Sequence, residues 1–473
     1  MKKENNFIPN LIKVIFSNVI VLLSGILVSL VLPKVMGVMQ YGYYRIFMLY
    51  AVYASLLHFG FVDGVLLYYG GKDDQQIDFA DIRTLSIFFI FFELIIGLVI
   101  ITYSFFIQNP IYHNVCFYLG IYTIAINIVT YFQYLTQARM KFSLLAKMNS
   151  VQPVLNIGII LALLLFVYLG QVKALSYNLY LPFYLLTFLF VLVIYMYIYL
   201  PILKGKRTSL KKSYKKIIML FKVGLAITIS YQIGALIFNL DNQYILFFFN
   251  TRTFSNYSFA YSLIQILTTI INAISTVLFP YLNRQNEKKV VASYVRNTSY
   301  MLIVIFAALI AYYPIHIFVH LYLPKYVSAL RYFRILLPGV AISNCIYSII
   351  FNYYKVFRKI KEYLLFGITI LLLAAILNYL AYIIFRDPYA IAFSSLIVLF
   401  IWYILTNHYI EIHYRVNSIL NVIYMFLMIV VFEIITVIKQ PLSSGTIYIV
   451  LYIVITIVFQ RDTIMKVFKR REY

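Results

Sequence analysis

Long apolar stretches alternate with short polar connections along almost the whole chain. Most stretches have about 20 residues or more, and a helix of that length crosses a bilayer core of about 30 Å. They lack the two-residue alternation of a membrane β-strand. With 63% hydrophobic and 11% charged residues, the composition does not suit a water-exposed surface. The pattern therefore predicts an all-α, polytopic membrane protein.

Charge clusters, prolines and glycines divide the chain into about fourteen predicted transmembrane helices. The first apolar run is too long for a signal peptide and has no small-x-small cleavage site, so we expect it to be a permanent span. The predicted spans are residues 11–33, 43–69, 83–107, 114–136, 144–168, 174–200, 217–249, 254–281, 293–322, 328–354, 362–385, 389–409, 416–438 and 445–460.

Basic residues are concentrated on every second connection. Roughly 28 of the 39 Lys and Arg residues fall on one side if the N-terminus is cytoplasmic. This bias predicts a bacterial inner (plasma) membrane protein with both termini in the cytoplasm. The net charge of +24 lies mainly on that face, where anionic membrane lipids explain it and no nucleic-acid partner is needed.

The basic run KGKRTSLKKSYKK, residues 204–216, is the longest polar connection and lies near the middle of the chain. It predicts a cytoplasmic linker between an N-terminal lobe, 1–203 with helices 1–6, and a C-terminal lobe, 217–410 with helices 7–12. Residues 411–473 form helices 13 and 14 and a basic tail. The stretches QYGYYRIFMLY and FSNYSFAYSLIQ occupy matching places in the two lobes, as in transporters built from repeats.

Five basic residues in or near the spans are candidates for binding an anionic substrate. An ionisable side chain at the centre of a membrane helix costs about 2.5–3.5 kcal/mol, so those present commonly face a cavity, a partner or an ion path. Two of them, three residues apart, share a helix face and can grip one phosphate. The alternative is that each extends to the headgroups at the nearer interface. The candidates are Arg45, Lys222, Arg252, Arg331 and Arg334.

Four acidic residues, Asp63, Glu93, Asp241 and Glu433, are candidates for balancing those cations or for coupling transport to H+ or Na+. Glu93, in the middle of FFIFFELIIGL, is the strongest candidate for an acid kept neutral by burial.

No motif in the chain predicts catalysis or metal binding. His316 and His320 are four residues apart, but no carboxylate or cysteine close in sequence completes a metal site. The sequence contains no nucleotide-binding glycine loop, nucleophile elbow or H-E-x-x-H motif. We therefore expect a transporter that is not an enzyme and does not hydrolyse ATP itself.

Four stretches resemble the polysaccharide flippases (Wzx type) of the multidrug, oligosaccharidyl-lipid and polysaccharide exporter (MOP) superfamily. They are similar to that family's glycine and aromatic pattern in the first two helices, its Phe-Pro end of helix eight, its Lys-Tyr-x-x-Ala stretch and its basic turn into helix eleven. The stretches are VMGVMQYGYYRIF with HFGFVDGVLLYYG, then VLFPYLNRQNEKK, LPKYVSALRYFRILLPG and KVFRKIKEYLLFG.

This resemblance implies two six-helix lobes arranged as a V around a central cavity, with two additional C-terminal helices. It also implies that an undecaprenyl-diphosphate-linked oligosaccharide moves from the inner to the outer leaflet by alternating access before polymerisation. A polysaccharide polymerase machinery is then a further partner, and a monomer is the default expectation. Arg45 would help to line a cationic cavity, with Asp63 balancing charge near the other end of its helix.

Three other interpretations stay open. A lipid II flippase shares the mechanism that the resemblance implies, and the sequence alone separates it poorly from a polysaccharide flippase. A multidrug or cation exporter of the same superfamily needs an acidic residue in its first lobe, which Asp63 or Glu93 supplies. A membrane polysaccharide polymerase shares the aromatic-rich, polytopic composition but needs a large outer loop, and the predicted outer connections are short.

Overall fold

A computed structural model describes residues 7–70, 72, 74–171, 174–283, 285–438 and 440–469. Within these ranges the description excludes the side chains of residues 7–16, 74, 231, 267, 269–281, 283, 462, 464 and 466–469. Residues 1–6 and 470–473, on which the predicted cytoplasmic placement of the termini partly rests, lie outside the described residues.

Every regular element among the described residues is a helix, which confirms the predicted all-α fold. Short 3₁₀ segments occur at Asp74–Gln76, Leu309–Ala311 and Pro324–Tyr326, and a π-helical turn at Ile346–Ile350. The α-helices are α1 Phe7–Ala54, α2 Phe61–Tyr69, α3 Phe79–Ser104, α4 Pro110–Ala138, α5 Phe142–Tyr168, α6 Tyr177–Leu203, α7 Leu210–Phe248, α8 Thr251–Asn283, α9 Glu287–Ala308, α10 Tyr312–Tyr322, α11 Ala329–Cys345, α12 Phe351–Val356, α13 Ile360–Phe385, α14 Pro388–Tyr414, α15 Ile419–Ile435 and α16 Pro441–Lys469.

Each predicted span coincides with helical residues, although the divisions differ. Ten helices among the described residues are long and apolar enough to cross a membrane, or eleven if bent helix α7 counts as one span. The range of α1 contains two helices that meet at a kink, because the backbone of Gly37, with φ +73° and ψ 171°, is not helical. The first predicted span lies before this kink, and the second covers the end of α1 together with α2. Helix α15 is also apolar, but with 17 residues it is shorter than any of these ten.

Polar residues at the predicted loop ends begin several helices. Asp78 accepts hydrogen bonds from two backbone N–H groups of α3, and Asn109 does the same for α4. Asp387 caps α14 through the N–H of Tyr389. These caps satisfy donors that the first helical turn leaves without a partner, so the sequence itself determines where these helices begin.

The chain divides into two compact units, Met1–Gln232 and Ile233–Tyr473. The division falls inside α7, later in the chain than the predicted linker 204–216. The basic run is attached to the first unit through α3. Thr84 Oγ1 donates to the Thr208 carbonyl at 2.8 Å, and Lys216 Nζ lies 2.5 Å from Asp81 Oδ2.

Aromatic rings form much of the core of the first unit. Phe61 stacks on Phe89 with centroids 5.0 Å apart, and Phe89 stacks on Tyr131 at 5.1 Å. The Tyr131 hydroxyl lies 2.7 Å from Ser86 Oγ. A buried tyrosine thus supplies both apolar packing and a polar link between helices.

The second unit uses tyrosine in the same way. Tyr294 OH donates to Asn407 Oδ1 at 2.7 Å, and Tyr354 OH donates to the Thr406 carbonyl at 2.9 Å. Trp402, in the same helix as Thr406, is completely buried. Much of the aromatic content that the sequence shows is therefore core packing.

Helices α2 and α7 approach each other closely at three glycines. Gly60 and Gly64 form a G-x-x-x-G pair on α2 and its N-cap, and Gly224 of α7 faces them. A Cβ on Gly64 would overlap the backbone carbonyl of Leu220, and a Cβ on Gly224 would overlap that of Gly60. Small residues of this kind let membrane helices pack backbone against backbone.

We predict that Gly64→Ala lowers the melting temperature of the detergent-purified protein, because the added methyl group separates α2 from α7. Overpacking of this kind costs about 1–3 kcal/mol. Gly158→Ala in α5 is the matched control, since a Cβ there meets nothing within 4 Å and alanine favours helix. Equal melting temperatures for the two variants would contradict the close α2–α7 contact.

Candidate functional site

Arg45 is a half-buried cation in α1 of the first unit. Its Nε is buried and has no hydrogen-bond partner among the described residues. None of the ion pairs in the described part of the chain includes it. The neighbouring Tyr44 is almost completely buried. A guanidinium held in this way lacks a countercharge from the described residues, and an anionic ligand would supply one.

Asp63 lies on α2, and its contact is with a neutral group. Thr228 Oγ1 donates to Asp63 Oδ2 at 2.5 Å, beside the glycine contact of α2 with α7. The same hydroxyl lies 3.1 Å from the Gly224 carbonyl. Asp63 therefore has a fixed orientation, and the contact that fixes it involves α7 and not Arg45.

Glu93 is completely buried where α3 meets α4 and the end of α1. Asn127 Nδ2 donates to Glu93 Oε2 at 2.9 Å and to the Ala54 carbonyl at 3.1 Å. Glu93 Oε1 and Asn127 Oδ1 are buried without a hydrogen-bond partner among the described residues. One unpaired carboxyl oxygen and one unpaired amide oxygen provide the chemistry needed to bind a proton or a small cation.

Asp241 is the corresponding buried acid of the second unit. Tyr257 OH donates to its Oδ2 at 2.8 Å and Tyr261 OH at 2.5 Å, while the Asn242 N–H donates to Oδ1 at 2.6 Å. The two tyrosines are four residues apart and share one face of α8. These bonds hold α7 against α8 and supply the carboxylate with donors in place of water.

Arg331 and Arg334 share a helix face, as predicted from their spacing, and both lie over the ring of Tyr389, at 4.7 and 5.5 Å. Each also meets an acid. Arg331 Nη2 lies 2.5 Å from Asp387 Oδ2, and Arg334 Nε lies 3.6 Å from Glu433 Oε2. The two guanidiniums therefore have countercharges within the protein, which distinguishes them from Arg45.

Lys222 and Arg252 are both exposed. Neither takes part in an ion pair formed by the described residues. Lys222 lies in α7, and Arg252 is the second residue of α8, where its carbonyl accepts a hydrogen bond from Asn256 Nδ2 at 2.9 Å. His316 and His320 have ring centroids 4.7 Å apart, and no cluster of three or more metal-ligating side chains occurs among the residues that the structure describes.

Asp81 and Asn378 are buried, hydrogen-bonded residues that the sequence pattern does not single out. Asp81 is buried and accepts hydrogen bonds from Tyr69 OH at 2.6 Å and Ser213 Oγ at 3.3 Å, in addition to its ion pair with Lys216. Asn378 Oδ1 accepts from Ser394 and Ser395, at 2.9 and 3.3 Å. Asp81 lies in the first turn of a helix, where acidic residues are common because they interact favourably with the helix dipole. Its position in the sequence therefore does not indicate that it is buried and paired.

The sequence matches no protein-family model and no curated protein. Similar solved structures exist. "Lipid II flippase MurJ, inward closed conformation" has a TM-score of 0.67 at 16% identity, covering 97% of this chain and 100% of that one. An inward-facing multidrug resistance MATE family transporter of the MOP superfamily has a TM-score of 0.59 at 13% identity. That match covers 84% of this chain and 94% of the transporter.

A third structure is that of a MOP superfamily transporter from Pyrococcus furiosus, whose reported reverse polarity of the binding pocket suggests a different function. It has a TM-score of 0.54 at 10% identity, covering 86% of this chain and 95% of that one. Identities this low establish the fold alone. The chain has the fold of MOP superfamily transporters, which are membrane proteins.

We predict that Arg334→Gln destabilises the protein more than Arg331→Gln. In the ion pair of Arg331 with Asp387, the side chains are 55% and 39% exposed. Exposed pairs of this kind contribute about 0–1 kcal/mol to the free energy of unfolding. In the ion pair of Arg334 with Glu433, the side chains are only 21% and 19% exposed. Removing the charge of Arg334 therefore leaves the half-buried Glu433 carboxylate without a countercharge, which destabilises the folded protein.

Melting temperatures of the purified variants test this prediction. Arg334→Gln combined with Glu433→Gln should regain part of the lost stability, because the double variant has no unpaired charge. Equal losses for Arg331→Gln and Arg334→Gln, with no recovery in the double variant, would show that the Arg334 pair has no special role.

Proposed function

We propose that this protein flips an undecaprenyl-diphosphate-linked oligosaccharide from the inner to the outer leaflet of a bacterial cell membrane, by alternating access, for surface polysaccharide biosynthesis. The observation that carries the proposal is the full-length similarity to the lipid II flippase structure, which covers 97% of this chain. The similarity to the inward-facing multidrug transporter covers 84%, with a lower TM-score. A lipid-linked substrate is therefore the better-supported class.

Arg45 supports an anionic substrate. A diphosphate carries two or more negative charges, and guanidinium binds phosphate oxygens through two parallel N–H donors. Because Arg45 has no carboxylate partner among the described residues, a bound diphosphate would neutralise a charge that the described part of the chain leaves unbalanced. Arg331 and Arg334 already have acidic partners and would bind a phosphate only after releasing them.

Glu93 is the proposed coupling residue. Uptake of H+ or Na+ at its unpaired Oε1 would neutralise a buried negative charge at the junction of α1, α3 and α4. Neutralising Glu93 lowers the free energy of the conformation in which this junction is buried relative to one in which it is open. Coupling of an ion to transport requires such a difference between two conformations. Asp241 is a second candidate in the other unit, although its hydroxyl donors already stabilise the charged form.

Export of drugs or small organic cations is the second candidate function. The observation that favours it is the buried Glu93, because a carboxylate can bind a cation in one state and release it on protonation. In that case Arg45 would weaken binding by like-charge repulsion, and its removal would increase transport.

Deletion of the gene followed by analysis of undecaprenyl-diphosphate oligosaccharides tests the proposal. We expect lipid-linked units to accumulate on the inner face, protected from an impermeant glycosidase or lectin. Units that reach the outer face without being polymerised would instead indicate a polymerase. Unchanged units together with increased drug sensitivity would indicate an exporter.

We predict that Arg45→Ala, present in the membrane at the normal level, lowers flipping about tenfold or more, because it removes charge-assisted hydrogen bonds to the substrate. Arg45→Lys should retain part of the activity, since the charge remains but the bidentate geometry does not. Lys361→Ala, at an exposed position in the second unit, is the matched loss of charge and should flip normally. Wild-type flipping by Arg45→Ala would exclude Arg45 from the substrate site.

A further inference from the structure

A cavity of about 440 Å³ lies within the second unit, where residues of α9, α15 and α16 come together. Its lining is rich in positive and hydrogen-bonding groups and also includes apolar side chains such as Leu420 and Val458. The polar lining residues that matter here are Arg296, Asn417, Asn421, Gln460, Arg461 and Thr463.

The sequence of α16 places this cavity at a membrane–water interface. Residues 441–459 of the helix contain no charged side chain, and the helical geometry breaks at Gln460, with φ −118° and ψ 19°. Arg461 is the first charged residue after that apolar segment. A charged residue that ends an apolar span lies near the lipid headgroups, on the side predicted to be cytoplasmic.

Two guanidiniums line the cavity without an ion-pair partner among the described side chains. No ion pair among the described side chains includes Arg296 or Arg461. Glu411 contacts the lining through Ser418, and its Oε2 lies 3.5 Å from His408 Nδ1. It accepts hydrogen bonds from Ser418 N–H at 2.9 Å and Ser418 Oγ at 2.6 Å. The described lining of the cavity therefore includes two guanidiniums and no carboxylate.

Buried hydrogen bonds hold the cavity wall in shape. Asn421 Oδ1 accepts from Ser299 Oγ at 2.8 Å and from Gln460 Nε2 at 2.9 Å, while Asn421 Nδ2 donates to the Val295 carbonyl at 3.2 Å. One asparagine thus ties α15 to both α9 and the break in α16. A wall fixed in this way does not have to be ordered when a ligand binds, which favours affinity.

We propose that this cavity binds the phosphate of an anionic phospholipid from the cytoplasmic leaflet. Arg296 and Arg461 would neutralise the phosphate, and the amides and hydroxyls of the lining would accommodate its oxygens and the polar headgroup. Leu420 and Val458, which are 56% and 66% exposed, provide an apolar surface for the acyl chains. A soluble phosphate would have no use for that apolar side, and this favours a lipid.

Lipid binding to the detergent-purified full-length protein, followed by native mass spectrometry, tests the proposal. The probes are phosphatidylglycerol, phosphatidylcholine, undecaprenyl diphosphate and inorganic phosphate. We expect phosphatidylglycerol to bind more tightly than phosphatidylcholine. Arg296→Gln and Arg461→Gln should each raise its Kd about tenfold, because each removes one charge-assisted interaction.

Lys361→Gln is the matched control. It removes one exposed charge from the same unit outside the cavity and should leave the Kd unchanged. Unchanged melting temperatures without lipid would show that the Arg variants are folded.

Three results would overturn the assignment. The first is equal binding of phosphatidylglycerol and phosphatidylcholine. The second is an equal loss of binding in the Lys361→Gln control, which would mean that net charge alone attracts the lipid. The third is dependence on Arg296 and Arg461 only for undecaprenyl diphosphate or inorganic phosphate, which would make the cavity a substrate or soluble-anion site. This test does not depend on whether the protein is a flippase.

Discussion

Polar groups inside a bilayer must find partners within the protein, because the hydrocarbon offers none. Several tyrosine hydroxyls in this chain meet that requirement. They donate to a buried carboxylate at Asp241, to an amide at Asn407 and to a backbone carbonyl at Thr406. Each ring also fills core volume, so one residue type supplies both helix packing and the pairing of buried polar atoms. The high tyrosine content of the chain has a structural explanation at these positions.

Against that background, the polar atoms that remain unpaired are informative. Arg45 Nε, Glu93 Oε1 and Asn127 Oδ1 are buried without a hydrogen-bond partner among the described residues. Arg334 Nε and Glu433 Oε1 also lack a hydrogen bond there, but their side chains form an ion pair with each other. Leaving a buried polar atom unpaired costs about 1–3 kcal/mol and more if it is charged. Such a cost is tolerated where a ligand or an ion supplies the missing partner for part of the time, and this is why the functional proposals rest on Arg45 and Glu93.

Close backbone contact has a different role from these charges. Gly60, Gly64 and Gly224 let α2 approach α7, and Thr228 reaches Asp63 only because the two helices are so near. Asp81 and Lys216 add an ion pair between α3 and the beginning of α7. The first part of α7 therefore belongs to the first unit, although the basic run before it looks like a free linker in the sequence.

The sequence by itself determined the all-α membrane fold, the approximate spans and the set of charged residues worth considering. These follow from hydrophobic length and from local caps such as Asp78 and Asp387, which act over a few residues. Only the tertiary structure decided which charges are paired. Arg334 meets Glu433 across 99 positions in the chain, and Asp63 meets Thr228 across 165. Spacing on one helix cannot reveal such partners, because they depend on how distant helices pack. The same reason explains why Asp81, an ordinary first-turn acid in the sequence, is buried and paired in the fold.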